Sequence, residues 1–200
     1  MTSPFAPVLA SHADLPWAFR EQFLLAQGGR LRLQGTMRRV WRRHRWTWPL
    51  FALLARMDIL FPETGENVPA TLTIHAEANR HCWRRTFAFP RRRAFDADMC
   101  WSAELGAVVE RLGPADLIEM VWQVSFRPPS TIEIASLRGA LRLGRWRIQL
   151  PGWLAAQARA VEVADPERDD AIAIDLTVSH PFLGPIFGYA GDFRLRRLDD

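Results

Sequence analysis

The chain has 200 residues, 48% of them hydrophobic and 24% charged, a balance that suits one folded domain and excludes global disorder. All 26 basic residues are arginine against 22 acids, so the net charge is only +4. The isoelectric point of about 10.3 reflects a lack of groups titrating between neutrality and pH 10 and is no sign of a general phosphate-binding surface.

Residues 4–10 are apolar but short, interrupted by Pro4 and Pro7 and without a basic leader, which argues against a signal peptide. Residues 14–26 predict a first helix, with Asp14 as N-cap, Pro16 in the first turn, and Trp17, Phe19, Phe23 and Leu24 at helical spacing. Gly28 and Gly29 stop it. From Arg30 the period changes to two, with Leu31, Leu33, Gly35 and Met37 on one face of a strand. A second helix is expected over residues 46–61, about four turns at most, and the Pro and Gly spacing of residues 61–69 reads as loop.

Beyond it, period-two stretches dominate: 72–77, 83–89, 95–101, 105–112, 117–126, 131–143, 146–150, 158–163, 172–178 and 189–195. Their connections are short and turn-like, which favours antiparallel neighbours. The expectation is a mainly β single domain over residues 1–200: a curved antiparallel sheet or lipocalin-like barrel of about ten strands with two N-terminal helices. A helix-grip fold would close on a long C-terminal helix, whereas Gly191-Asp192-Phe193-Arg194-Leu195 reads as strand. No stretch reaches the roughly 18 apolar residues that span a bilayer, and Cys82 and Cys100 are read as core thiols that fit a reducing cytoplasm at least as well as an oxidising compartment.

Several motifs together resemble an uncharacterised bacterial family, the domain of unknown function numbered four-one-six-six. They are the Phe61-Pro62 to Val68-Pro69 segment, Trp83-x-Arg85-x-Phe87, Glu110-Arg111-Leu112-Gly113-Pro114, Leu150-Pro151-Gly152-Trp153-Leu154, and Pro181-Phe182-Leu183-Gly184 through Tyr189-Ala190-Gly191. The resemblance covers most of the chain from about the first helix. It implies a domain found alone or attached to dehydrogenase-like nucleotide-binding domains, hence a link to redox or lipid-type metabolism through a separate oxidoreductase partner. It carries no activity.

Two local features stand out from the residues themselves. Trp83, Arg85, Phe87 and Phe89 share one strand face, so Arg85 sits in an apolar row, where a guanidinium has to meet an anion. Either Glu110, between Val108 and Leu112, supplies it, or the head group of an acidic ligand does. The second feature is the run of Arg38, Arg39, Arg42, Arg43, His44 and Arg45 among Trp41, Trp46 and Trp48. It reads as a membrane-interface anchor, as a nucleic-acid patch, or as a solvated strand end leading into a helix that caps the barrel. Nucleic acid is the least favoured, because the basic run is single and short.

The histidines at 12, 44, 75, 81 and 180 lack metal-site spacing, with His75 read as surface. Asp96 and Asp98 read as a solvated strand face, no serine sits in a nucleophile elbow, and no glycines form a phosphate-cradling loop. The expectation is therefore no catalytic residue, metal or cofactor. It favours a cytoplasmic, membrane-peripheral binding module for a small apolar, acidic, lipid-like ligand, held by Arg85, Trp83, Phe87, Glu110 and Tyr189. Arg42, Arg43, Arg45, Trp46, Trp48 and Phe51 would form a membrane-contact or lid element around a helix over residues 48–57. The alternatives are a non-catalytic interaction domain for an oxidoreductase or membrane-surface partner, and an enzyme of unknown chemistry using Arg85, Glu110 and Tyr189.

Overall fold

The computed structural model describes residues 3–198. Two short helices, α1 (Ala6–Leu9) and α2 (Trp17–Phe23), precede β1 (Arg30–Arg42), and α3 (Trp48–Leu54) follows it. Nine strands come next without a further α-helix: β2 (Gly65–Ala76), β3 (Arg80–Phe87), β4 (Arg93–Ser102), β5 (Ala107–Leu112), β6 (Ile118–Arg127), β7 (Thr131–Leu143), β8 (Trp146–Gln149), β9 (Gln157–Ala164) and β10 (Ala171–His180); β11 (Gly184–Arg197) ends the series.

All pairings are antiparallel, and the pairing of β6 with β7 closes the sheet into a ten-stranded barrel in which β1 lies between β2 and β11. The alternation seen in the sequence is what closes it: Leu31, Leu33 and Met37 of β1, Leu72 and Ile74 of β2, and Phe187, Tyr189 and Phe193 of β11 all turn into one core. Strand β8 stands outside the ring. The edge of β7 is divided, with Thr131 to Ala135 paired to β9 and Ala140 to Leu143 paired to β8.

Where β1 crosses β11 the backbones approach too closely for a side chain. A Cβ on Gly35 would fall 1.9 Å from the Asp192 carbonyl oxygen, and one on Gly191 would fall 2.6 Å from the Thr36 oxygen. Close by, the register of β1 shifts between Met37 and Arg39, and Asn67 opposite has φ of 53°. These are the local bends that let a long strand follow a tight barrel.

One end of the barrel is stoppered by α1 and α2. The Phe5 ring stacks edge-on to Phe23 at 5.0 Å and lies 6.1 Å from Trp83, with Phe19 and Leu9 fully buried beside them. His81 is buried there as well, its Nε2 3.2 Å from the Leu25 oxygen, and burial lowers its pKa to about 4. The opposite end carries α3, the β7–β8 hairpin and the β10–β11 turn.

Three local expectations are corrected. The helix expected over 14–26 is α2, which begins at Trp17 with Pro16 at its N-cap and no side-chain cap, so Asp14 does not cap it. The helix expected over 46–61 is a 3-10 turn, Arg45–Thr47, followed by the seven residues of α3; the chain leaves it because Phe51 and Ile59 bury in the barrel end and Asp58 takes φ of 53°. Gly65 to Pro69 is strand, paired with β1 from Val40 to Thr36, because the glycine, asparagine and proline mark a bent ladder there and no loop. Among the described residues no helix is long and apolar enough to cross a membrane.

Candidate functional site: a polar cluster deep in an apolar cavity

Inside the barrel lies a cavity of about 440 Å³, within the range of about 300 to 1,000 Å³ typical of small-molecule sites. Its walls are aliphatic and aromatic, among them Leu72, Phe95, Met99, Ile134, Ala160 and Leu176. Phe5 lies at the stoppered end. Trp46, Leu50 and Leu154 line it at the other end while remaining largely exposed, so the cavity opens there.

Besides His180 at the end of β10, four ionisable side chains break this apolar lining: Arg85 from β3, Glu110 from β5, Glu162 from β9 and Tyr189 from β11. Each follows the inward parity of its strand, with Arg85 opposite Leu72 and Phe95, Glu110 opposite Met99 and Met120, and Glu162 opposite Ile132 and Ile174. The guanidinium of Arg85 stacks between two rings, 5.1 Å from the Trp83 centroid and 4.7 Å from that of Phe95. Glu110 accepts a hydrogen bond from Trp122 Nε1 at 3.0 Å, and Glu162 accepts one from Gln22 Nε2 of α2 at 2.7 Å.

The ion pair between Arg85 and Glu110 is not formed: among the described residues no carboxylate oxygen lies within 4.0 Å of the guanidinium. Arg85 Nη1 and Trp83 Nε1 are buried without a hydrogen-bond partner. Burial pushes Glu110 up to about 7, although the Arg85 charge and the Trp122 bond pull it down. Burial does the same to Glu162, up to about 7, against the Gln22 bond and the Arg85 charge, and pushes Tyr189 up to about 12. Near neutral pH the cavity thus holds one cation with unused donors and two carboxyls poised to lose their protons.

Trp83, Arg85, Glu110 and Tyr189 meet at this cavity, whereas Phe87 does not line it and packs on Phe61 at 4.7 Å and Tyr189 at 5.8 Å. Sequence reasoning missed Glu162 and its partner Gln22. The signal was available: Glu162 interrupts the inward row Ala158, Ala160 and Ala164 as Arg85 interrupts its own.

In the basic run, Arg42 is a structural residue, donating to the Pro62 oxygen at 3.2 Å and to Thr47 Oγ1 at 3.4 Å, and Phe51 is buried against Phe187. Arg43, Arg45, Trp46 and Trp48 are exposed. Outside the barrel, Asp96 and Asp98 are paired by Arg84 at 3.6 and 2.9 Å and are not simply solvated, and His75 is half-buried. Among the described residues no group of three or more metal-ligating side chains converges.

A family model described as a domain of unknown function (DUF4166) matches residues 15–193. The uncharacterized protein YndH of Bacillus subtilis (strain 168) is 28% identical over 145 residues, covering 67% of this chain and 68% of that protein. No solved structure matches.

Proposed function

The chain belongs to the DUF4166 family, and from its cavity we propose that it is a binding module for a small, mostly apolar, lipid-like ligand with an acidic head group. The observation that carries this reading is Arg85: a half-buried cation held between two rings, its Nη1 buried and without a partner, in a mostly apolar cavity. An anionic or strongly accepting head group would take the Arg85 and Trp83 donors, and the alkyl or ring body would lie along Leu72, Ala160 and Leu176 toward the open end.

The lining supports it. Larger side chains at Ala158 and Ala160 would narrow the cavity, and alanine at both positions leaves room along its wall. Two free thiols, Cys82 and Cys100, support a reducing cytoplasm as the working compartment.

The test is direct. Purified protein is extracted with organic solvent and the extract examined by mass spectrometry, and a fluorescent fatty acid is titrated into the stripped protein. Recovery of an amphiphilic acid and saturable binding are expected. Arg85→Met, which keeps the stem between Trp83 and Phe95, should weaken binding of the fatty acid roughly tenfold or more, the scale of a lost charged hydrogen bond. An empty extract with no probe binding would refute the reading and leave an interaction domain for an oxidoreductase partner as the standing alternative.

A further inference from the structure

The end of the barrel at which the cavity opens has an unusual surface. Trp46 precedes α3, Trp48 begins it and Leu50 lies within it; Trp146 sits at the tip of the β7–β8 hairpin, Trp153 lies in the segment entering β9, and Phe182 is in the β10–β11 turn. These six side chains, from four segments of one rim, are between 55% and 74% exposed. Single exposed hydrophobics are ordinary on a protein surface; a ring of bulky aromatics around one opening is an interaction site.

Charge identifies its partner. The three stretches that build this end, residues 38–57, 134–161 and 176–191, contain eleven arginines and not one aspartate or glutamate. Carboxylates brought from other elements are largely taken: Arg93 bonds Glu63, Arg111 pairs with Asp116 at 3.4 Å, and Glu119 holds Arg142 at 3.2 Å and Arg147 at 2.7 Å. That leaves Asp58 and Glu66 against Arg39, Arg43, Arg45, Arg56, Arg138 and Arg145, which have no carboxylate partner among the described residues. The rest of the chain carries fifteen arginines against 22 acids.

We propose that this rim docks on a bilayer containing anionic lipid, with the tryptophans and Phe182 in the acyl boundary and the free arginines at the head groups. Tryptophan with arginine is the pairing that suits the interface, where the ring is half in hydrocarbon and the cation meets phosphate. The docked orientation turns the cavity opening to the membrane, so that a lipid-like molecule passes between bilayer and barrel without crossing water. The last step rests on the ligand-binding reading above; the docking itself does not.

The experiment uses the full chain with sedimenting vesicles of phosphatidylcholine alone or mixed equally with phosphatidylglycerol, and follows tryptophan quenching by brominated lipid. Binding to the mixed vesicles is expected, weakening as salt is raised. Arg43→Glu with Arg45→Glu should weaken it at least roughly tenfold, given about 1 kcal/mol per charge near an anionic surface. Trp153→Ser with Phe182→Ser, neither of which lines the cavity, should sharply reduce quenching while far-ultraviolet dichroism and fatty-acid binding from solution stay unchanged. No sedimentation with anionic vesicles would overturn the proposal. So would equal binding to neutral ones, or a dimer in gel filtration that the same variants abolish, since the rim would then cover a second copy. A protein that docks but takes up no lipid overturns the cavity reading instead.

Discussion

Glu110 and Glu162 make the pH behaviour of this protein calculable in sign. Both carboxyls are raised from the ordinary 4.5 to about 7, so between those limits the folded chain holds two protons that the unfolded chain has released. Their contribution is complete below about 4.5 and is lost as the pH climbs through about 7, at up to ~1.4 kcal/mol per unit for each group. Glu119 works the other way. Burial pushes it up, but the bonds and charges of Arg147 and Arg142 outweigh this and hold it lowered, so its contribution is lost on acidification. Melting temperatures measured from pH 5 to pH 8 should fall for the native sequence, and Glu110→Gln with Glu162→Gln should flatten that fall, since glutamine keeps an acceptor for Trp122 and Gln22. An unchanged slope would mean that neither carboxyl is held as the cavity places it.

At the level of elements, the tightest constraint is the crossing of β1 and β11. Gly35→Ala puts a methyl into the Asp192 carbonyl, a backbone atom that cannot move without shifting the strand pair, and the expected loss is about 2 to 4 kcal/mol. Thermal denaturation measures it; Gly152→Ala, where nothing lies within 4 Å, should cost far less and serves as control.

The alternation that assigns the strands was readable because each strand has one face toward a continuous apolar core, and parity alone brought Arg85, Glu110 and Tyr189 inward. Parity says nothing about which inward groups meet. The partner of Glu110 proved to be Trp122, twelve residues on across the β5–β6 pairing, and that of Glu162 is Gln22, on a helix 140 residues away in sequence. Helix ends were misread where a tertiary contact, such as Phe51 on Phe187, sets the boundary and local capping does not. The segment from Gly65 to Pro69 shows the reverse, since residues that usually end a strand here bend one.

The whole molecule is a cylinder with one plugged end, one greasy and positive end, and a wall of uneven strength. Bulges interrupt the register of β1 with β11, β10 with β11 and β6 with β7, but only β7 among the described strands changes neighbour along its edge, from β9 to β8 between Ala135 and Ala140. Across that interval the wall is laced by few bonds: Ala158 N to Ser136 Oγ at 2.8 Å, and Leu150 N and Gln149 Nε2 to the Gly139 oxygen, each at 2.9 Å. A barrel usually resists swelling because every strand is bonded on both sides. This one has a placket, a short unbuttoned length beside the cavity where girth can change by parting few hydrogen bonds and leaving the other strand pairs intact. Amide hydrogen exchange should find residues 149–158 opening well before β1, β10 and β11, and cross-linking Ser136→Cys to Ala158→Cys should slow the uptake of bulky ligands more than that of slender ones, making the wall itself a ruler of what the protein accepts.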